Sequence, residues 1–135
     1  MAGTSNALPR KCDFRLNGYR FNRGNALENC RELSLFLLDA FSGSTVAYSL
    51  RSLSSSTTNV VRVRRSSDNA EQDFTADEVT DGTLTTFTGA NDGFVVTWYD
   101  QSGNNHNATQ STAASQPQIV SAGSVILDNG LLCII

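Results

Sequence analysis

Gly93-Phe94-Val95-Val96-Thr97-Trp98-Tyr99-Asp100-Gln101-Ser102-Gly103-Asn104-Asn105 reads as a strand running into a tight polar turn. Phe94, Val96 and Trp98 alternate with Val95, Thr97 and Tyr99, the period of two that gives a strand one packed face and one wet or paired face. The Asp, Asn, Ser and Gly that follow are turn formers, so the strand ends there. The same pattern recurs on either side. Val61 and Val63 alternate with Arg62 and Arg64, and turn clusters such as Ser66-Ser67-Asp68-Asn69 punctuate the chain. The spacing predicts strands over 46–53, 59–65, 72–75, 83–88, 93–99, 118–120 and 124–127. Many short strands with regular turn signals predict a mainly β fold, an antiparallel sandwich or part of one.

One helix is expected. Asn25 followed by Glu28 has the form of a capping pair, and Leu27, Cys30, Ser34, Leu37 and Leu38 approximate one helical face, predicting a helix over 26–41. The apolar run Leu33 to Leu38 is equally compatible with a buried strand. Ahead of it lies Phe14-Arg15-Leu16-Asn17-Gly18-Tyr19-Arg20-Phe21, where Asn-Gly between two alternating triplets signals a two-residue hairpin. In that register Leu16 opposes Tyr19, Phe14 opposes Phe21, and Arg15 opposes Arg20. Like charges facing each other are unfavourable, so this hairpin wants an apolar surface on one side and an anionic one on the other.

Charge divides the 135 residues in the same place. Residues 1–31 hold six bases against two acids, while 32–135 hold four bases against eleven acids. A basic arm preceding an acidic body marks an interaction segment, and a solvated terminus is the plainer alternative. Cys12, Cys30 and Cys133 fit neither a metal-site spacing nor a disulfide framework and read as reduced thiols. No secretory leader is legible at the N-terminus. No apolar stretch approaches the ~20 residues that span a bilayer, so no membrane insertion is expected.

The polar cluster Asp100, Asn104, Asn105, His106 and Asn107 admits two readings. It would serve as a cation or sugar loop, with Trp98 or Tyr99 stacking on a sugar ring. Alternatively, its side chains bond their own backbone. A calcium site wants several carboxylates and only Asp100 is local, which weighs toward the second. His106 has no cysteine nearby and no GxSxG serine to serve, so neither a zinc site nor a catalytic dyad is expected. Arg62, Arg64 and Arg65 form a basic strand edge, with Asp68, Glu71 and Asp73 across the following turn placed to neutralise it; no nucleic-acid partner is expected. Asp73, Asp77, Glu78 and Asp81 form an acidic cluster that reads as solvated loops. Asp128-Asn129-Gly130 is a further turn signal. The apolar Leu131-Leu132-Cys133-Ile134-Ile135 after it predicts a sticky strand that a partner covers or that the natural polypeptide extends.

Several blocks together resemble a known domain. They are Leu37-Leu38-Asp39-Ala40-Phe41-Ser42-Gly43, Ala47-Tyr48-Ser49-Leu50-Arg51, Val61 through Asp73, Gly93 through Asn104, and Asn107-Ala108-Thr109-Gln110. In order and spacing, Phe36 to Gly123 resembles a domain of many phage structural proteins. That domain is itself similar to the front part of the catalytic domain of fungal α-L-arabinofuranosidase B. The resemblance implies a concanavalin-like β-sandwich. It also implies a virion protein, the N-terminal part of a tail fibre or of another tail- or baseplate-attached component, assembled in the bacterial host cytoplasm. Partners implied are other tail or baseplate proteins and further copies of the chain, three if it is a fibre. The working carboxylates of the arabinofuranosidases lie downstream of the matched blocks, so no catalytic residue is carried over and no cofactor or metal is implied. Attachment is then expected to fall to Phe14, Arg15, Leu16, Tyr19, Arg20 and Phe21, and contact with host glycans, the rival reading, to Trp98, Tyr99, Asp100, Asn104 and His106.

Overall fold

The structure, a computed structural model, describes residues 36–135 and the backbone of Arg15–Leu16 and Tyr19–Arg20. These fall in two units taken separately. In the first, β1 (Arg15–Leu16) pairs antiparallel with β2 (Tyr19–Arg20), Arg15 opposite Arg20 and Leu16 opposite Tyr19, which is the register read from the Asn-Gly turn. Phe14 and Phe21 lie outside the described residues, as does the 26–35 part of the expected helix.

The second unit is built on β5 (Gly93–Trp98). It is flanked by β3 (Val61–Arg65) on one side, and by β6 (Ala108–Thr109) and β7 (Gln118–Ser121) on the other. β4 (Glu71–Phe74) extends the sheet beyond β3, and β8 (Ser124–Val125) beyond β7, giving six antiparallel strands. Two irregularities curl it. β5 slips against β3 so that Val96 has no partner there, and β7 slips against β5 at Ile119. Extra residues of this kind bend a strand and increase its twist, and the result is a curled, half-barrel sheet. The slip at Val96 also corrects the strict alternation. Trp98 shares the core face with Val61 and Val95, whereas Phe94 and Thr97 lie with Arg64 and Arg62 on the other.

On the core face Val60, Val61, Val63, Phe74, Val95, Ile119 and Val120 are buried. Helices cover part of it. Thr75 caps α2 (Ala76–Thr80) through a capping box with Glu78, each side chain bonding the other's backbone amide. α3 (Thr83–Thr88) corrects the strand expected over 83–88. Its β-branched threonines favour a strand by propensity. Leu84, Phe87 and Thr88 nevertheless share a helical face, and the Thr85 and Thr86 hydroxyls bond the Gly82 carbonyl, each at 2.9 Å. Fully burying Leu84 is worth ~2 kcal/mol, enough to overrule those propensities. α3 sits so close to the sheet that a Cβ on Gly93 would stand 3.0 Å from Thr88 Cγ2 and 3.1 Å from both Val63 and Val120.

Two further expectations are corrected. The single helix over 26–41 is not continuous: Phe36 is extended (ψ 146°), and only α1 (Leu37–Ala40) is helical in the described part. Leu38 N–H bonds the Leu53 carbonyl at 2.8 Å and Asp39 accepts from Ser54 and Ser55, so these groups serve the neighbouring segment. The described residues hold three short α-helices, of which only α1 falls within the expected span. The predicted strand 46–53 forms no strand: it bends at Leu50 and Arg51 and joins no ladder. At the C-terminal end β9 (Leu127–Asp128) and β10 (Leu131–Leu132) form a hairpin across Asn129-Gly130, both at positive φ as a type I′ turn demands. The run that follows is paired: Cys133 N–H bonds Ile126 O, and Ile135 exchanges two hydrogen bonds with Gln118. Leu131 and Ile135 stay exposed.

Candidate functional site

The loop after β5 explains why 46–53 forms no strand. Side chains of the loop take the place of a partner strand. Gln101, 7% exposed, makes four hydrogen bonds: its Nε2 donates to the Ser49 and Arg51 carbonyls (2.8 and 3.0 Å), and its Oε1 accepts from Leu53 N–H and the Thr57 hydroxyl (2.7 and 3.1 Å). Its backbone N–H adds a bond to Ala47 O. A glutamine has two donors and an acceptor with two lone pairs, so it is fully used.

Asp100 performs the same task one residue earlier. Its Oδ1 accepts from Ala47 N–H and Ser102 N–H (2.8 and 2.9 Å), its Oδ2 from the Ser102 hydroxyl and His106 N–H (2.7 and 3.0 Å). Desolvation pushes this carboxyl's pKa up, but the Ser102 and Ala47 amides, the Ser102 hydroxyl and the His106 amide outweigh it and hold the pKa far below the ordinary range. Asn104 donates to the Ser44 and Thr45 carbonyls, both at 3.0 Å, and to Ser102 Oγ at 3.1 Å. His106 Nδ1 lies 3.1 Å from Thr45 O. The Tyr48 hydroxyl donates to the His106 carbonyl.

Of the residues singled out for glycan contact, the structure therefore groups Asp100, Asn104 and His106 on one loop and separates Trp98 from Tyr99. Tyr99 donates to Asp73 at 2.7 Å, and Asp73 in turn holds Arg62 through two bonds of 2.7 and 2.8 Å. The Arg62 guanidinium keeps Asp73 below the usual carboxylate range; burial and the bond to Asp73 push the Tyr99 phenol up. Trp98 faces the other way. It lines an apolar groove of about 780 Å³ with Leu50, Val79, Val125, Leu132 and Ile134, and its indole N–H is buried with no partner among the described residues.

Several other charged groups have structural employment. Arg65 pairs with Asp68 and donates to the Phe87 carbonyl at the end of α3. Arg64, opposite Glu71 in register, bonds Gln116 and Asn69 instead and lies over the Phe94 ring. Glu78 belongs to the capping box, and Asp81 accepts from Thr83 N–H at the start of α3. Among the described residues no three His, Cys, Asp or Glu side chains gather where a metal ion would be held. No helix of the described residues is long and apolar enough to cross a membrane.

Sequence reasoning missed Gln101 as an organising residue and Tyr48 altogether. A glutamine in a polar turn gives no sign that it is buried. Tyr48 stands in a segment read as an ordinary strand. Comparison with protein-family models, with curated proteins and with solved structures gives no match.

Proposed function

We propose that the chain is a non-enzymatic structural component of a bacteriophage virion. It would be the N-terminal part of a tail fibre or of another tail- or baseplate-attached protein, anchored through residues 1–31 and assembled with other tail proteins and further copies of itself. Residues 36–135 are then the front of a concanavalin-like β-sandwich, and the apolar groove beside Trp98 lies on the face a second sheet would cover. The blocks from Phe36 to Gly123 support this reading. The observation that carries the non-enzymatic part is the fate of the densest polar cluster: the side chains of Asp100, Gln101 and Asn104 hold 44–57 in place. Deleting Met1 to Arg31 and assaying particles for the protein tests the anchor. Loss of incorporation with the body still folded is the expected result, and normal incorporation refutes it.

A second reading, contact with host surface glycans, is favoured by the exposed Tyr48 ring. It leans on Trp98 with centroids 5.7 Å apart and borders the same loop. Its test is binding of the intact chain to a glycan array.

A further inference from the structure

Once the loop's internal bonds are assigned, a specific set of polar atoms is left over. The Thr45 carbonyl can only accept, so in the neutral His106 ring the hydrogen sits on Nδ1 and Nε2 carries a bare lone pair. Asn104 spends its amide hydrogens on Ser44, Thr45 and Ser102, and its Oδ1 has no partner among the described residues. Both side chains are exposed. Tyr48, 38% exposed, joins them through its bond to the His106 carbonyl. Asn104 and His106 meet on the Thr45 carbonyl and Tyr48 and His106 on the His106 carbonyl, so the three form one patch.

The patch offers two hydrogen-bond acceptors and an aromatic ring, and it is held rigid by the four bonds to Asp100 and the packing of Tyr48 on Trp98. A ligand that fits must bring hydrogen-bond donors on one side and a flat C–H surface on the other. A sugar ring has both. A rigid patch also binds without the cost of ordering its own side chains.

We propose that Tyr48, Asn104 and His106 form a saccharide-binding site, with a sugar ring packed on Tyr48 and its hydroxyls donating to Asn104 Oδ1 and His106 Nε2. The proposal rests on the glycan-contact reading and moves its site: Tyr99 and Asp100 drop out because their polar atoms are engaged, and Trp98 becomes the support beneath Tyr48. The test uses the full chain on a printed array of bacterial O-chain and capsular polysaccharides. The glycan bound best is then titrated against the wild type, Tyr48→Ala and His106→Phe. Tyr48→Ala and His106→Phe should each lose about tenfold or more. Thermal melting accompanies each titration; if Tyr48→Ala unfolds, the exposed His106→Phe decides. Binding that survives both losses overturns this site and leaves the glycan reading standing elsewhere on the surface. Absence of binding to every polysaccharide overturns both.

Discussion

Gln101 carries more of the body's architecture than its place in a polar turn implies. It closes four hydrogen bonds to four residues of the 49–57 segment, three of them to backbone groups. Gln101→Ala leaves those partners unpaired, and a net loss of about 3 kcal/mol is expected from urea unfolding. Gln101→Glu should be worse, since a carboxylate cannot donate to the Ser49 and Arg51 carbonyls. The aspartates set a different signature. Asp39 is held low by Ser54, Asp68 by Arg65 (to about 2), Asp73 by Arg62, Asp81 by Thr83, and Asp100 by its amide donors, which outweigh its burial. A carboxyl whose folded pKa is depressed stabilises the fold above its unfolded value of about 3.9 and loses that contribution as pH falls toward the folded value. The urea midpoint should therefore hold steady down to about pH 5 and fall steeply between about pH 4 and 2. A flat profile over that window would show these bonds to be no stronger in the folded chain than in the unfolded one.

Strands and turns differ in how openly they announce themselves. The Val61-Arg62-Val63-Arg64 alternation and the Asn-Gly turn at 129–130 are readable because a single period or dipeptide is enough. α3 was not, because propensity and periodicity disagree: four threonines argue for a strand while Leu84, Phe87 and Thr88 keep helical spacing. The capping box Thr75…Glu78 was legible and went unused, since the acids around it looked like a solvated cluster. The turn between β7 and β8 is where local chemistry fits worst. Ala122 adopts φ 45° ahead of Gly123, held there by Asp92, which accepts from its N–H at 2.8 Å. A left-handed alanine costs about 1 kcal/mol or more, which asparagine tolerates better. Ala122→Asn should raise the thermal midpoint by the equivalent of about 1 kcal/mol, whereas Thr75→Ala should lower it by a similar amount through loss of the cap.

In the 36–135 unit, the sheet is held by ladders and a buried apolar face, but 44–57 is held mainly by side chains from one loop, with Leu38 and Asp39 of α1 adding bonds to 53–55. Two levels of stability follow. Amides of β3 and β5 should exchange with solvent only on global unfolding, and those of 47–53 through a cheaper local opening. Gln101→Ala should speed the second group far more than the first, as hydrogen exchange would show. The site was half legible for the same reason. Asp100, Asn104 and His106 are consecutive enough to be noticed together, while Tyr48 reaches them only through the fold. The slip at Val96 has a consequence for mutation. It acts as a parity bit for β5: every residue after it lands on the face opposite to the one counted from Phe94. Exchanging Val96 for Thr leaves the count intact and should be nearly silent. Deleting it would restore strict alternation with Thr97 still opposite Arg62 and Trp98 still opposite Val61, so β5 would lose its bend and keep its faces. A single-codon deletion there should therefore leave the chain soluble while lowering its thermal midpoint more than the substitution does, because the sheet loses curvature and keeps its packed face.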